Sequence, residues 1–298
     1  MPAATLRILP VNRRSFLKST LSLAIGGMSS QSRAQASLPA PPKKASDRVA
    51  LGKTGISASR LAIGTGSNGW NGNSNQTRKL GLDGMADLFI EAFDAGINFW
   101  DAADQYGSHP HLKAALQRIP RDKVVILTKT TAETADAMKA DLDRFRSELG
   151  TDTIDIILLH CMEDPEWPKK CKGAMDVLSK AREAGIIRAH GVSCHSIGAL
   201  KAAAACEWVQ VDLARINPAG AEMDAPVDEV LPVLRGMSDA GKAVIGMKIF
   251  GAGTLVNRMD ECLRFVLQQD YVSSFSLGFE SRNQFREGLA RLNKAGAA

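Results

Sequence analysis

Beyond its first 36 residues, the chain of 298 residues has no apolar run that approaches the roughly 20 residues of a membrane-spanning helix. Low-complexity stretches are also absent, and hydrophobic residues make up 45% of the sequence. This length and composition exclude a chain that is disordered throughout, and they allow a large core in one or two domains. We expect a soluble product that has no membrane association once an N-terminal segment is removed.

Excess charge is missing from most of the chain. The formal net charge is +5, but the first 36 residues contain five basic residues and no acid. The remainder has 32 basic and 32 acidic residues, so its net charge is zero. A neutral body gives no indication of a nucleic-acid partner.

The cysteines do not form a recognisable framework. The sequence has five of them, an odd number, at Cys161, Cys171, Cys194, Cys206 and Cys262. None of their spacings matches a metal site, and a chain of this length does not depend on disulfide bonds. We predict no bound metal, while pairing of two cysteines in an oxidising compartment stays open.

The basic N-terminal segment has the features of an export signal. It reads NRRSFLK over residues 12–18, continues through a mildly apolar stretch over 21–28, and ends in Ala34-Gln35-Ala36. This pattern resembles a twin-arginine (Tat) signal peptide, and the alternative is an ordinary amphipathic helix. The resemblance implies a signal peptide over residues 1–36, the Tat export machinery as a partner, and a periplasmic or exported product. Residues 37–48, which contain several prolines and lysines, are predicted to be a flexible leader.

From about residue 49, short β-rich runs alternate with helical patterns, which indicates parallel strands joined by crossover helices. Eight strands are predicted, over residues 61–64, 98–100, 124–128, 154–159, 189–193, 209–213, 244–247 and 273–277. Several helices are expected to end at a glycine, at Gly96, Gly150, Gly185 and Gly241. Eight such units predict a (β/α)8 TIM barrel of the α/β class, in a domain over residues 49–298 that begins with a β-hairpin over 49–59.

A doubly wound open sheet is the alternative architecture. It predicts a G-x-G-x-x-G turn after the first strand, but Gly64-Thr65-Gly66 leads into an asparagine-rich loop instead. We therefore favour the closed barrel.

Four chemically active side chains follow successive predicted strands. Asp101 and Tyr106 come after the second strand, Lys129 ends the third, and His160 ends the fourth. In a TIM barrel the reactive side chains lie at the carboxyl ends of the strands. Each residue alone has an ordinary structural explanation, but their arrival on three successive strand ends indicates one site.

These four residue types fit the donation of a proton to a carbonyl oxygen. A phenol with a pKa near 10 is a poor acid at neutral pH, so Tyr106 needs a neighbouring cation, which Lys129 provides. Asp101 supplies the counter-ion of a partly buried ammonium. His160 is expected to donate a hydrogen bond that orients the same carbonyl oxygen.

The order and spacing of these motifs resemble the aldo-keto reductase superfamily. The resemblance rests on GINFWDAADQYG over residues 96–107, TKT over 128–130, LLH over 158–160, GVS over 191–193 and the hairpin motif LGKTG over 51–55. It covers roughly residues 49–290. It implies a TIM barrel, a nicotinamide cofactor bound across the carboxyl face, usually NADP(H) and alternatively NAD(H), and Tyr106 as the general acid.

The resemblance also implies cofactor contacts. Ser193 and Gln210 are expected to bind the nicotinamide carboxamide, although Cys194 replaces the usual asparagine beside Ser193. Met247 stands where an aromatic residue often stacks on the nicotinamide. The remaining expected contacts are the turn at Phe250, Gly251 and Gly253 near the pyrophosphate, and Ser281, Arg282, Gln284 and Glu287 near the adenosine end.

The charges at the adenosine end do not decide between NADP and NAD. Ser281, Arg282 and Gln284 would suit a 2′-phosphate, whereas Glu280 would repel one. Two tryptophan-bearing loops are expected to shape the substrate pocket, through Trp70 after the first strand and Trp167 after the fourth.

Three functions remain open at this point. The first is a reductase or dehydrogenase that acts on aldehydes, ketones or sugars. The second is a cofactor-binding sensor or interaction module with little turnover, and the third is a sugar-modifying enzyme whose cofactor does not exchange. The complete set of four residues argues against the second function, whereas Cys194 and Met247 keep it open.

Overall fold

In the computed structural model, residues 42–297 are described. The strands in this range are β1 (Arg48–Ala50), β2 (Ser57–Ser59), β3 (Leu61–Gly64), β4 (Phe99–Asp101), β5 (Val125–Thr130), β6 (Ile154–Met162), β7 (Ile187–Cys194), β8 (Val211–Arg215), β9 (Ala243–Met247) and β10 (Ser274–Gly278). The α-helices are α1 (Asn75–Asp94), α2 (His109–Leu116), α3 (Ala135–Leu149), α4 (Trp167–Lys170), α5 (Lys172–Glu183), α6 (Ile197–Ala205), α7 (Val227–Asp239), α8 (Met259–Gln268) and α9 (Arg282–Ala295).

Eight parallel strands close into a barrel in the order β10-β3-β4-β5-β6-β7-β8-β9. The predicted TIM barrel is therefore confirmed, and each of the eight predicted strands overlaps an observed one. The remaining strands, β1 and β2, pair antiparallel as the expected N-terminal hairpin. Leu51 and Ile56 of the hairpin pack into the apolar cluster inside the barrel, so the hairpin closes the amino end.

Successive side chains on each strand point alternately into the barrel and toward the helices, which produces two separate cores. On β6, Ile156 and Leu158 point into the barrel, whereas Ile157 and Leu159 point toward the helices. The same alternation aims the next residue, His160, inward at the carboxyl end. Because the interior below is filled with apolar side chains, the polar groups at the top are supported by a packed floor.

The predicted helix ends are confirmed. Gly96, Gly150, Gly185 and Gly241 all have positive φ angles, between 65° and 91°, which side chains other than glycine rarely adopt. Gly150 is the left-handed C-cap of α3, whose N-cap Thr134 accepts a hydrogen bond from the Ala137 amide. These local signals fix where each helix turns back toward the next strand.

The leader predicted over residues 37–48 needs a correction. From Lys43 onward the chain is packed on the barrel, because the Lys43 amide donates to the Gly296 carbonyl at 2.9 Å and Ala45 is fully buried. The Leu61 amide in turn donates to the Ala45 carbonyl at 3.0 Å. The signal peptide predicted over residues 1–36 lies outside the described residues. Among residues 42–297, no helix is long and apolar enough to cross a membrane.

Candidate active site

Asp101 and Lys129 form a buried ion pair at the carboxyl ends of β4 and β5. The Lys129 ammonium lies 2.5 Å from Asp101 Oδ1, and its side chain is only 1% exposed. It also donates to the Ala102 carbonyl at 2.6 Å. A buried ammonium is stable only when it is paired and hydrogen-bonded, and both conditions are met here. The expected counter-ion role of Asp101 matches this geometry.

Ser276 completes this pair and was missed by the sequence reasoning. Its hydroxyl donates to Asp101 Oδ2 at 2.6 Å, so a residue of β10 reaches across β3 to the end of β4. Both carboxylate oxygens are thereby occupied, which fixes the carboxylate and, through it, the ammonium. The signal was present, because Ser274 and Ser276 alternate with apolar residues on the last strand and so occupy one face of it.

Tyr106 lies beside His160 and above Lys129. The tyrosine hydroxyl is 3.3 Å from His160 Nε2, and the two rings meet edge to face with centroids 5.6 Å apart. The Lys129 ammonium lies 4.8 Å from the centre of the tyrosine ring. The hydrogen bonds of this ammonium go to Asp101 and Ala102, and it faces the ring of Tyr106.

Two glycines hold the Tyr106 ring from the loop that follows β3. A Cβ on Gly66 would lie 2.3 Å from Cε2 of the ring, and a Cβ on Gly69 would lie 2.3 Å from Cδ1. The Gly69 amide donates to the Gly66 carbonyl at 3.0 Å, which shapes this turn. The ring therefore fits only because these two positions have no side chain.

Burial sets the protonation states of the two groups that face a substrate. It raises the pKa of Tyr106 well above its ordinary value, with the Asp101 charge acting in the same direction. Burial also lowers the pKa of His160 well below its ordinary value, assisted by the Lys129 charge. Tyr106 is thus a protonated phenol and His160 a neutral imidazole across the neutral pH range.

The segment after His160 departs from regular strand geometry. Cys161 has a φ of 60°, a left-handed conformation that is rare for residues other than glycine and costs about 1 kcal/mol or more. Its amide donates to the Ser193 hydroxyl at 3.1 Å, and its sulfur lies 3.7 Å from His195 Nε2. Cys194 faces the outer layer instead, and all five cysteines are free thiols. The strain lies immediately beside the proton-transfer groups, where it aims the Cys161 side chain.

Two residues from the predicted cofactor set lie at the carboxyl ends of β7 and β9. Ser193 is fully buried and follows the inward alternation of β7, and Met247 is paired in register with Arg215. Arg215 was not predicted. Its Nε donates to Asp224 Oδ1 at 2.7 Å, and the Asp224 side chain is 0% exposed.

Gln210 is not part of this face, which corrects the sequence prediction. It precedes β8, and its side-chain oxygen accepts from the His190 amide at 3.3 Å near the amino end of the barrel. The register pairs Gly191 with Val211, so the inward residue level with Ser193 is Leu213. No amide side chain reaches the carboxamide position from this strand.

The loop after β9 keeps space for a ligand. Gly251 and Gly253 have φ angles of 53° and 103°, and a Cβ on Gly253 would meet nothing within 4 Å. Phe250 is half-buried and packs against the outer core. Backbone without side chains can approach a phosphate closely, which fits the expected role of this turn.

The predicted adenosine end is the N-terminus of α9. Ser281 is its N-cap and accepts from the Gln284 amide, while the Gln284 side chain accepts from the Glu280 amide at 2.8 Å. Arg282 and Arg286 both pair with Glu91 of α1. The remaining charged groups are paired as well, Glu280 with Lys79 and Glu287 with Arg291. The charge of Glu280 is thereby offset, and Glu287 is directed to an ion pair within its own helix.

The two predicted substrate tryptophans have different surroundings. Trp70 is 64% exposed at the tip of the loop after β3, where it could meet a ligand. Trp167 is only 2% exposed, and its indole N–H donates to the Ala199 carbonyl at 3.3 Å. It is a core residue between α4 and α6, so its prediction as a substrate contact is wrong. The loop around it folds inward because the apolar ring is better buried than exposed.

Comparison of the sequence with known protein families identifies the family of this chain. The sequence model described as the Aldo/keto reductase family matches residues 60–287. The chain belongs to this family. It is accordingly an NAD(P)H-dependent oxidoreductase. Among characterised relatives, it is 25% identical over 243 residues to a D-threo-aldose 1-dehydrogenase of a Pseudomonas species, which covers 70% of this chain and 71% of that protein.

Solved structures of the family share the fold. A putative aldo-keto reductase from Pseudomonas aeruginosa superposes with a TM-score of 0.69 at 21% identity, covering 85% of this chain and 98% of that one. An aldo-keto reductase from Bacillus halodurans in its holo form gives a TM-score of 0.65 at 17% identity, covering 83% of this chain and 90% of that one. At these identities the likeness shows the fold alone.

Proposed function

We propose that this protein interconverts a carbonyl compound and its alcohol, with Tyr106 as the general acid in the direction of reduction. The observation that carries the proposal is the contact between the Tyr106 hydroxyl and His160 Nε2, 3.3 Å apart, above the buried Asp101–Lys129 pair. A carbonyl oxygen placed between the phenol and the imidazole would receive two hydrogen bonds.

The residues present fit a nicotinamide dinucleotide across the carboxyl face. Ser193 offers a buried hydroxyl, Met247 offers a flexible apolar surface, and the turn offers open backbone at Gly253. The N-terminus of α9, capped by Ser281, suits a phosphate. A nicotinamide bound there supplies hydride to the carbonyl carbon, or accepts it from an alcohol.

The protein's own residues handle the proton. As negative charge develops on the carbonyl oxygen, Tyr106 donates its proton and becomes a phenolate, which the Lys129 ammonium below the ring stabilises. Asp101 and Ser276 hold that ammonium in place rather than touching the substrate. Neutral His160 orients the oxygen, because burial prevents it from carrying a charge that would compete with Lys129.

We further propose NADP(H) as the preferred dinucleotide. The ion pair between Glu280 and Lys79 removes much of the repulsion that Glu280 would exert on a 2′-phosphate. Arg282 supports the proposal less, because its guanidinium is paired with Glu91. Titration of the protein with NADPH and NADH, followed by cofactor fluorescence, decides the preference. Equal dissociation constants would contradict it.

The substrate is proposed to be an aldehyde, a ketone or a sugar. The relative named D-threo-aldose 1-dehydrogenase favours an aldose among these. Steady-state assays with a panel of aldoses and simple aldehydes test the proposal through NADPH consumption and NADP⁺ reduction. A protein that binds NADPH but turns over none of these compounds would favour the sensor function instead.

Export through the twin-arginine pathway remains a proposal, supported by the paired arginines at positions 13 and 14 and the small-residue motif that ends at Ala36. An exported protein has no obvious supply of NADPH, so we propose that the dinucleotide is loaded before export and held tightly. It would then be regenerated by oxidation of one substrate and reduction of another. Fractionation of expressing cells, followed by mass spectrometry of the mature protein, tests both points. A cytoplasmic protein of full length would contradict export, and an empty mature protein would contradict tight loading.

A further inference from the structure

Three cations lie at the carboxyl face, and one of them has no partner. Asp101 neutralises Lys129, and Asp224 neutralises Arg215. The ammonium of Lys248, which directly follows β9, makes no hydrogen bond or ion pair with any residue in the described part of the chain. Lys248 is therefore the unpaired cation among these three.

The backbone at Lys248 is strained. Its φ is 56°, so it shares with Cys161 a left-handed conformation that costs free energy in residues other than glycine. The residue is half-buried rather than extended into solvent. Its charge acts on both Cys161, at the end of β6, and His195, just after β7. Because Met247 pairs in register with Arg215, Lys248 and Arg215 lie at neighbouring strand ends on the carboxyl face.

The neighbours of Lys248 add hydrogen-bond donors but no opposing charge at the site. Burial, followed by the charges of Arg215 and Lys248, lowers the pKa of His195 to about 4, which leaves a neutral imidazole 3.7 Å from the Cys161 sulfur. Arg215 uses Nε and Nη2 on a single oxygen of Asp224, and its Nη1 has no acceptor within residues 42–297. Glu163, which also acts on Cys161, is exposed and therefore screened by solvent.

We propose that Lys248 and the free edge of Arg215 bind a carboxylate on the carbonyl substrate, so that the enzyme prefers anionic over neutral carbonyl compounds. This inference rests on the proposed function, because it names the substrate class of the same site. A carboxylate there would neutralise the unpaired ammonium and accept from the unused guanidinium N–H groups. The carbonyl end of the same molecule would reach Tyr106 and His160.

The cofactor's pyrophosphate is the competing source of negative charge, because Lys248 also lies near the turn at Gly251. The two sources make different predictions. A lysine that serves the substrate changes the selectivity between anionic and neutral substrates. A lysine that serves the cofactor changes the dissociation constant of NADPH and affects all substrates equally.

The experiment compares 4-carboxybenzaldehyde with its methyl ester, methyl 4-formylbenzoate, which has the same aldehyde without the charge. We expect kcat/KM to be at least about 10-fold higher for the acid, the size of one charge-assisted hydrogen bond. Lys248→Met should remove most of this ratio, and Lys248→Arg should retain it. Lys139→Met, on the exposed face of α3, is the matched control and should leave the ratio unchanged.

Binding of the alcohol product gives a readout that does not depend on turnover. In the presence of NADP⁺, calorimetry should show tighter binding of 4-(hydroxymethyl)benzoate than of its methyl ester, and Lys248→Met should abolish the difference. If neither aldehyde is reduced but the binding preference is present, the proposed function fails and the anion site stands. Equal kcat/KM and equal binding of the two compounds in the unmodified protein, or a Lys248→Met effect confined to NADPH affinity, would overturn the inference.

Discussion

The two sides of the carboxyl face are built on different principles. On the side that runs from β10 through β3 to β6, the polar groups bond to one another, as the contacts of Asp101 with Lys129 and Ser276 show. On the side of β7 to β9, Arg215 is tied to a loop residue and Lys248 is left without a partner. The first side is therefore complete before any ligand arrives. The second side keeps donors free, which suits ligand binding better than proton transfer.

The largest expected effect comes from removing the acid on the complete side. Tyr106→Phe removes only the hydroxyl, so we expect kcat to fall by at least about 10²-fold, the low end of general acid contributions. The dissociation constant of NADPH should change little, because the hydroxyl acts on the substrate oxygen. Turnover at the unmodified rate would show that Tyr106 is not the acid.

Lys129→Met should cause a comparable loss of activity and also destabilise the fold. It leaves Asp101 buried with Ser276 as its remaining side-chain partner, and an unpaired buried charge costs roughly 3 to 5 kcal/mol. The double variant Asp101→Asn with Lys129→Met removes both charges and should recover much of the free energy of unfolding without recovering activity. Denaturant unfolding and steady-state kinetics measure the two effects separately. Recovery of activity in the double variant would mean that the ammonium has no part in proton transfer.

Gly66→Ala should weaken turnover while every chemically active residue stays in place. The new Cβ would lie 2.3 Å from the Tyr106 ring, so the ring must leave the position in which its hydroxyl meets His160. A misplacement of about 1 Å is enough to cost up to about 10²-fold in rate. Gly236→Ala in α7, where a Cβ meets nothing within 4 Å, serves as the control. Equal kcat values for the two variants would contradict the idea that the loop positions Tyr106.

Asp212, a buried residue of β8, should make the free energy of unfolding depend on pH. Burial raises its pKa from the ordinary 3.8 to about 8, with the charge of Asp224 acting in the same direction. Because the folded state binds this proton more tightly than the unfolded state, the free energy of unfolding should fall as pH rises from 3.8 to about 8. Asp212→Asn should flatten this part of the curve in thermal melts. An unchanged slope would show that Asp212 is not responsible.

The two sides of the carboxyl face also differ in how much of them could be predicted from the sequence. Asp101, Lys129 and His160 each end an apolar run, so strand ends could be located and the site assembled before the structure was known. The prediction that Gln210 binds the carboxamide was wrong, because the motif resemblance gave no strand register and so placed this residue at the wrong end of β8. Arg215, Asp224 and Lys248 were missed because their importance depends on which charges lie together in space. That information comes only from the closed barrel.

The central claim is that Tyr106 protonates a carbonyl oxygen whose carbon receives hydride from a nicotinamide bound on this face. The most direct measurement is a single turnover with NADPH that carries deuterium on the transferred side of C4, and 4-carboxybenzaldehyde as substrate, followed by mass spectrometry of the alcohol. We predict one deuterium on the alcohol carbon with the unmodified protein, and at most a trace of product in the same time with Tyr106→Phe. Product without deuterium, or equal product from both proteins, would contradict the claim.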